Sequence, residues 1–460
     1  MIKSCTVQIS KSHHLFSWAD SLCKISAQIY NRTLYLWKRN FEQTGSSIPI
    51  SELRQKLKAE LVDYENPQSG FLYKEFGNSQ LSNKTFELSM QVISSYFESL
   101  KSWKLDPSNF TGRPHKPRYK NRENGRFRVQ FYMCYNSDGG LNMSNTFNIS
   151  KKNGDIVFRG KNSLHFNVPD FLKGKTIKTI DVVPCGSIYK LVFNYESPAE
   201  SHNPDFTKFA SIDLGVNNLI TLSSNNSAKT DPFVLIDGKK IKSINQGWNR
   251  KVGKLGSKLP KGKKTSKKIQ SITIKRNNQI KHEIQISCKF VIQNLIGQNI
   301  STLIVGSNPG WKQGVNLGKK NNQKFVQIPF DYIKQNLKWR CEENGIAFVL
   351  QEESYTSKAS FLDLDKIPVH GKEKGTVEFS GKRIHRGLYQ SKNGRIINAD
   401  INGSLNILRK CKDKAFTNAE SVEVYATKPV LKLNRNQIES FFQNGENQKV
   451  KHKETSINKN

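Results

Sequence analysis

The sequence predicts an α/β protein whose second half carries a mixed sheet and whose first half interrupts short strands with helices. Three observations lead there. Short apolar runs at 208–214, 218–223 and 233–237, separated by turn residues, read as a three-strand meander. A strand at 302–306, a helix at 328–343 and a strand at 346–352 then repeat a strand–helix–strand order, which parallel pairing satisfies. Before residue 200, helical periodicity fills one block and period-two alternation fills the next.

Taken in order, residues 3–10 alternate weakly and read as a first strand. From Leu15 a helical stripe appears, with Trp18, Leu22, Ile25, Ile29 and Leu36 on one face. A second helix is expected over 51–61, and a third after Asn83, with Phe86, Met90, Ile93, Phe97, Leu100 and Trp103 aligned. Asp106-Pro107 ends the helical block. Residues 110–122 are rich in Lys and Arg, contain Pro114 and Pro117 and no acid, and so read as a semi-rigid basic arm. Arg113, Lys116, Arg118 and Lys120 on it are candidates for phosphate contact. Alternating runs from Arg126 to about Glu196 suggest a small β-barrel or curled sheet.

Asn203-Pro204 marks the expected boundary. Beyond the meander, residues 250–281 hold 12 Lys/Arg and no acid. They are expected as a basic loop leading into a long helix from about 276, with Lys275 and Arg276 as nucleic-acid candidates. Trp311, Lys312, Lys319 and Lys320 suggest a phosphate-facing loop, and Lys382 and Arg383 a basic surface in the apolar-poor stretch 356–399. A helix is expected over 400–411. The tail from about 431 is rich in Asn, Lys, Glu and Gln and is expected to be disordered.

The chemistry is carried by three acids. Asp213 ends an apolar run, Glu353 closes another, and Asp400 opens a helix-like stretch. Acids this far apart in sequence form one site if strand ends and a helix start meet in one crevice. Carboxylates of that kind supply the shared hard oxygens that two divalent cations, about 3.5–4 Å apart, need. The setting fits an RNase H-like sheet. Asp at a helix start is also favoured by capping and by the helix dipole, so Asp400 alone is weak support.

Composition narrows the partner. Of 460 residues, 73 are Lys or Arg and 38 are Asp or Glu, a net charge of +35 that calls for a polyanion, nucleic acid first. Seven cysteines never fall at CxxC spacing, as expected of reduced intracellular thiols. No run approaches the roughly 20 apolar residues of a membrane span, and no signal-peptide core opens the chain. No membrane role is expected.

The segments SIDLGVNNLITL (211–222) and NADINGSLNILRK (398–410) resemble the first and third catalytic motifs of the TnpB family, transposon-encoded RNA-guided nucleases related to type V CRISPR effectors and Fanzors. EESYTSKASFLD, GKRIHRGLYQS and WKQGVNLGKKNNQKFVQIPF resemble the same family, in a branch lacking its zinc site. The clear resemblance spans about residues 205–412. It implies a RuvC-type RNase H-like nuclease domain over 205–430 and a wedge β-barrel from 1–14 and 109–204. It further implies a helical recognition insertion at 15–108, with the tail at 431–460. It also implies a guide RNA, a double-stranded DNA target beside a short flanking motif, and a monomer with RNA. Two Mg²⁺ ions (or Mn²⁺) on Asp213, Glu353 and Asp400 are implied, without structural zinc. The expected location is cytoplasm or nucleoid in a prokaryote and nucleus in a eukaryote.

The chain departs from the family once in the site itself. The strand that usually ends in the middle glutamate ends here in Gly306, and acids are next available one strand later, at Glu352 and Glu353. These alternate faces, so only one is expected in the site, and Glu353, three residues before Thr356, is the choice over Glu352. A nuclease-dead RNA-guided repressor and a protein-only transposon nuclease or transposase are the alternatives.

Overall fold

The computed structural model describes residues 2–61, 79–132, 134–135, 141–142, 147–149, 156–158, 164–166, 168–198, 203–226, 232–308, 326–369, 378–385, 387–416, 422, 424–425 and 428–443. They divide into two units, Met1–Pro198 and Ala199–Asn460.

The first unit opens with β1 (Ile2–Ile9), followed by α1 (Phe16–Thr44), α2 (Ile50–Leu61) and α3 (Ser79–Leu105). Next come β2 (Val129–Tyr132) and five short strands: β3 (Cys134–Tyr135), β4 (Leu141–Asn142), β5 (Phe147–Ile149), β6 (Ile156–Phe158) and β7 (Leu164–Phe166). The long hairpin of β8 (Ile177–Cys185) and β9 (Ile188–Glu196) closes it. The order β1-β9-β8-β2 is antiparallel throughout, so the helical block leaves and re-enters one sheet. Among the described residues this sheet is open, with β1 and β2 at its edges. The stripe expected on α1 is its buried face: Leu22, Ile25, Ile29 and Leu36 join Phe86, Ile93, Phe131 and Phe193 in one core. Gly45 ends α1 in the left-handed region (φ 68°), its N–H returning to Phe41 O at 3.0 Å.

In the second unit β10 (Asp205–Leu214), β11 (Asn218–Ser224) and β12 (Phe233–Asp237) form the meander. A helical hairpin of α4 (Lys239–Gly256) and α5 (Lys267–Gly297) leads to β13 (Ile300–Gly306), α6 (Phe330–Glu343) and β14 (Ala347–Gln351). A small antiparallel sheet of β15 (Lys382–His385), β16 (Leu388–Gln390) and β17 (Ile396–Asn398) precedes α7 (Ala399–Cys411) and β18 (Val430–Leu433). The main sheet runs β14-β13-β10-β11-β12-β18, with β13 parallel to both β10 and β14. Alternation assigns its faces. Ala210, Ile212, Leu303 and Val305 pack with α5 and α6, while Ile304 packs with α7 residues Ile401, Leu405 and Leu408.

Two expectations are corrected. The basic stretch 250–281 is mostly helix, broken only around 257–266, where Ser266 caps α5 by accepting from Ile269 N at 3.3 Å. Contacts to a facing helix outweigh its charge: Trp248 Nε1 donates to Thr273 Oγ1 at 3.0 Å across the hairpin. The tail expected to be disordered from 431 is ordered as far as 443. β18 adds parallel to β12, and a helix over 435–443 buries Ile438 beside α5. A few apolar residues spaced on one face sufficed once a sheet edge and a helix flank were there to receive them. Residues 444–460 lie outside the described residues, as do Trp311, Lys312, Lys319 and Lys320.

Candidate active site

Three parallel strands, β10, β13 and β14, end side by side, where sheets of this kind leave a crevice beyond their carboxyl ends. Ser211 and Asp213 alternate away from the β10 core residues and face α7. Ser211 Oγ donates to Ser404 O at 2.7 Å, and Ser404 Oγ returns a bond to Ser211 O at 3.1 Å. These bonds seat α7 on the strand.

The same helix face delivers Asp400. It lies one turn before Gly403 and Ser404, so seating Ser404 on β10 turns Asp400 toward Asp213. Gly403 makes the approach possible, because a Cβ there would lie 3.1 Å from Asp213 Oδ2. Asn398 caps the helix, accepting from Asp400 N at 3.0 Å and Ile401 N at 3.2 Å. The Asp400 carboxylate accepts from Asn218 Nδ2 at 2.7 Å and stands 3.5 Å from Arg383 of β15.

Glu353 arrives from a turn beyond β14. Its carboxylate accepts from Asn308 Nδ2 at 3.3 Å, and its backbone N–H donates to Asn308 Oδ1 at 3.2 Å. Thr356 Oγ1 donates to Glu353 O at 2.8 Å, and Asn406 of α7 holds Thr356 O at 2.9 Å. Between them the chain turns through Tyr355 at φ 66°. Glu352 points elsewhere: it accepts from Lys410 Nζ at 2.5 Å and from Ser354 N at 2.7 Å. Gly306 pairs with Gln351, and a Cβ on it would collide with the Glu353 carboxylate and with Ile407.

The electrostatics tie the three acids together. Burial, then the charges of Glu353 and Asp400, pushes the Asp213 carboxyl up to about 8, although its surface is not wholly covered. Burial raises Glu353 to about 7, with Lys334 of α6 opposing. Among the described residues, no three His, Cys, Asp or Glu side chains form a group that would hold a metal as they stand. In kind, however, the donors fit a hard divalent cation: oxygen only, with a mutual repulsion that added positive charge would offset.

The other expected contact residues separate into groups. Arg276 is held within its own unit, donating to Asn245 Oδ1 of α4 at 2.8 and 2.6 Å and to Gln327 O at 3.0 Å, whereas Lys275 is exposed. Arg276 thus already has acceptors of its own, on α4 and on the turn before α6. Lys382 is exposed, while Arg383 reaches the acids. Arg113, Lys116 and Arg118 are exposed on the first unit and Lys120 is partly covered. Sequence reasoning missed Lys334, Asn308 and Asn218, which carry no local signal and matter only through the sheet's register.

A family model described as a probable transposase of the OrfB IS605 type matches residues 192–312, and one described as a Cas12f1-like TNB domain matches 330–407. No curated protein matches the chain. Among solved structures, a Cas12f1–sgRNA–target DNA complex aligns over 85% of this chain and 82% of its own, at 14% identity and a TM-score of 0.54. A mini-RNA-guided endonuclease, CRISPR-Cas_phi3, aligns over 94% of both chains at 10% identity and a TM-score of 0.48. At such identity the first likeness shows the fold alone, a shared α/β architecture.

Proposed function

We propose that this chain, TnpB-like in its family matches, is an RNA-guided endonuclease that cuts double-stranded DNA beside a short flanking motif. The observation that carries the reading is the meeting of Asp213, Glu353 and Asp400 at the ends of β10 and β14 and the start of α7. On this reading the three carboxylates would hold two divalent cations, Mg²⁺ or Mn²⁺, and the chemistry these would supply is Lewis-acid charge for phosphodiester hydrolysis.

The chain's own groups have distinct tasks. Asn218 orients Asp400, and Asn308 with Thr356 orients Glu353, so that neither acid has to be ordered when substrate arrives. Arg383 stands at the rim beside Asp400, where its planar fork suits a phosphate oxygen of the strand being cut. Lys334 presents a second positive charge on the Glu353 side. In the first unit, the sheet of β1, β9, β8 and β2 takes the wedge role and the α1–α3 block the recognition role. The +35 charge is there to hold the guide and the target backbone.

The position of Glu353 over Gly306 supports the nuclease over a nuclease-dead repressor, since an acid stands where the strand-borne one is missing. The test is reconstitution. The purified protein should carry a discrete RNA, and with that RNA and Mg²⁺ it should cut a matching duplex. Asp213→Ala and Asp400→Ala should each slow cutting on the order of a thousandfold while leaving RNA and target binding in place. Cutting at the original rate by either variant would overturn the site. Binding without cutting by the unaltered protein would favour the repressor.

A further inference from the structure

The first unit carries a second surface that the cleavage reading does not use. The basic arm 110–122 does not hang free; it is laced along α1. Asn31 grips it at both polar atoms, donating from Nδ2 to Lys120 O at 2.9 Å and accepting from Lys120 N at 2.7 Å. Tyr30 Oη donates to Arg118 O at 3.2 Å. Pro114 and Pro117 stiffen the segment between these anchors and its start.

The lacing interleaves rings and cations. Arg32 lies over Tyr35 at 4.8 Å, Lys38 over Tyr119 at 4.3 Å and Lys116 over Phe41 at 4.7 Å. Tyr35 is 40% exposed and Tyr119 47%, and each keeps a cation beside it. The two rings are close enough to influence each other, and Glu42 of α1 stands with them and with Lys38. A bare phosphate backbone needs only the cations. Exposed rings held between fixed cations suit a strand whose bases are unpaired, because every base offers a face to stack while its phosphate meets a neighbouring charge. Glu42 favours RNA over DNA. A carboxylate repels phosphate but accepts a hydrogen bond from a 2′-hydroxyl, the donor that DNA lacks.

The geometry points to Tyr35 and Tyr119, set among Arg32, Lys38 and Lys116, as a stacking platform for an unpaired segment of RNA. The inference rests on the RNA-guided reading for the partner's identity but not on cleavage.

The test uses the full chain, freed of copurifying nucleic acid and kept without Mg²⁺. Its probes are a single-stranded uridine-rich RNA of about 12 nucleotides, the same sequence as DNA, and a blunt RNA duplex. The Tyr35→Ala, Tyr119→Ala double variant should bind the single-stranded RNA about tenfold or more weakly, with the salt slope unchanged because no charge is lost. Tyr35→Trp with Tyr119→Trp should retain binding, and the duplex should not respond. Glu42→Gln should narrow the preference for RNA over DNA. In the unaltered protein, photo-crosslinking of the RNA carrying 5-iodouridine should map to Tyr35 or Tyr119, a readout independent of whether the alanine variant folds. Equal losses on duplex and single strand, equal binding of RNA and DNA, or crosslinks that map elsewhere would overturn the platform. Failure of the intact chain to bind any RNA would overturn the RNA-guided reading as well; RNA binding indifferent to the two tyrosines would sink the platform alone.

Discussion

The carboxylate of Glu353 fills the space that a side chain on Gly306 would occupy. The resemblance leads one to expect an acid at position 306; the residue there is glycine, and Glu353, one strand along, lies over it. β13 and β14 are parallel neighbours, with Gly306 opposite Gln351, so a turn two residues beyond β14 reaches back over the end of β13.

Swapping the two positions tests that relationship. Gly306→Ala alone should be damaging, because its Cβ would strike the Glu353 carboxylate and come within 2.7 Å of Ile407 Cδ1. Overpacking of this kind costs about 1–3 kcal/mol, and cleavage should fall with it. Glu353→Ala removes the first clash, so Gly306→Glu placed in that background should recover part of the lost cutting. Melting temperatures and cleavage rates of the three variants, measured together, decide it; a harmless Gly306→Ala would contradict the placement.

The two adjacent glutamates should behave differently. Glu353→Gln is expected to slow cleavage on the order of a thousandfold, as loss of a shared ligand does. Glu352→Gln should spare the chemistry and instead weaken the fold, since the side chain of Lys410, only 6% exposed, keeps its bonds to Ser354 O and Pro368 O but loses its counter-charge. Thermal melting and cleavage measured on both variants should therefore split. An active Glu353→Gln would move the role to Glu352.

Stability without metal should depend on pH in a defined direction. Asp213 is raised to about 8 from an ordinary 3.8, so the folded state holds its proton more tightly than the unfolded chain does. Its contribution is complete below about pH 4 and is lost as pH rises through about 8; Glu353, raised to about 7, acts in the same sense. In chelator, the melting temperature should fall across that window more steeply for the native protein than for Asp213→Asn. Added Mg²⁺ should stabilise most at the alkaline end, where the acids are ionised. Parallel slopes for the two proteins would contradict the raised value.

Truncation should separate the ordered tail from the rest. Ending the chain at residue 429 removes β18, Ile438 and the partly buried pair of Arg435 with Glu283, 3.2 Å apart. Burial of Ile438 alone is worth about 1.5–3 kcal/mol, and Phe441 adds an edge contact to Phe290 at 5.1 Å. A marked drop in melting temperature is expected. A chain ending at 443 should melt like the full one, and similar melting of all three would show that β18 does not hold the sheet edge.

The periodic elements are written in the sequence alone. The meander, the strand–helix–strand repeat, the stripe on α1 and the start of α7 were legible because each rests on local spacing, period two or period 3.6. The acids were legible at the ends of those elements, and Gly306 was legible as a departure. Which of Glu352 and Glu353 turns inward follows from contacts that form only in the folded chain. Beyond the last residue of β14 no periodicity applies, and the direction is set by Asn308 and Thr356, 45 residues before and 3 after Glu353, and by Lys410, 58 after Glu352. The same reason covers the other misreadings. Residues 250–281 became a hairpin and 431–443 became ordered, because each found a partner distant in the chain, and no local pattern records such a partner.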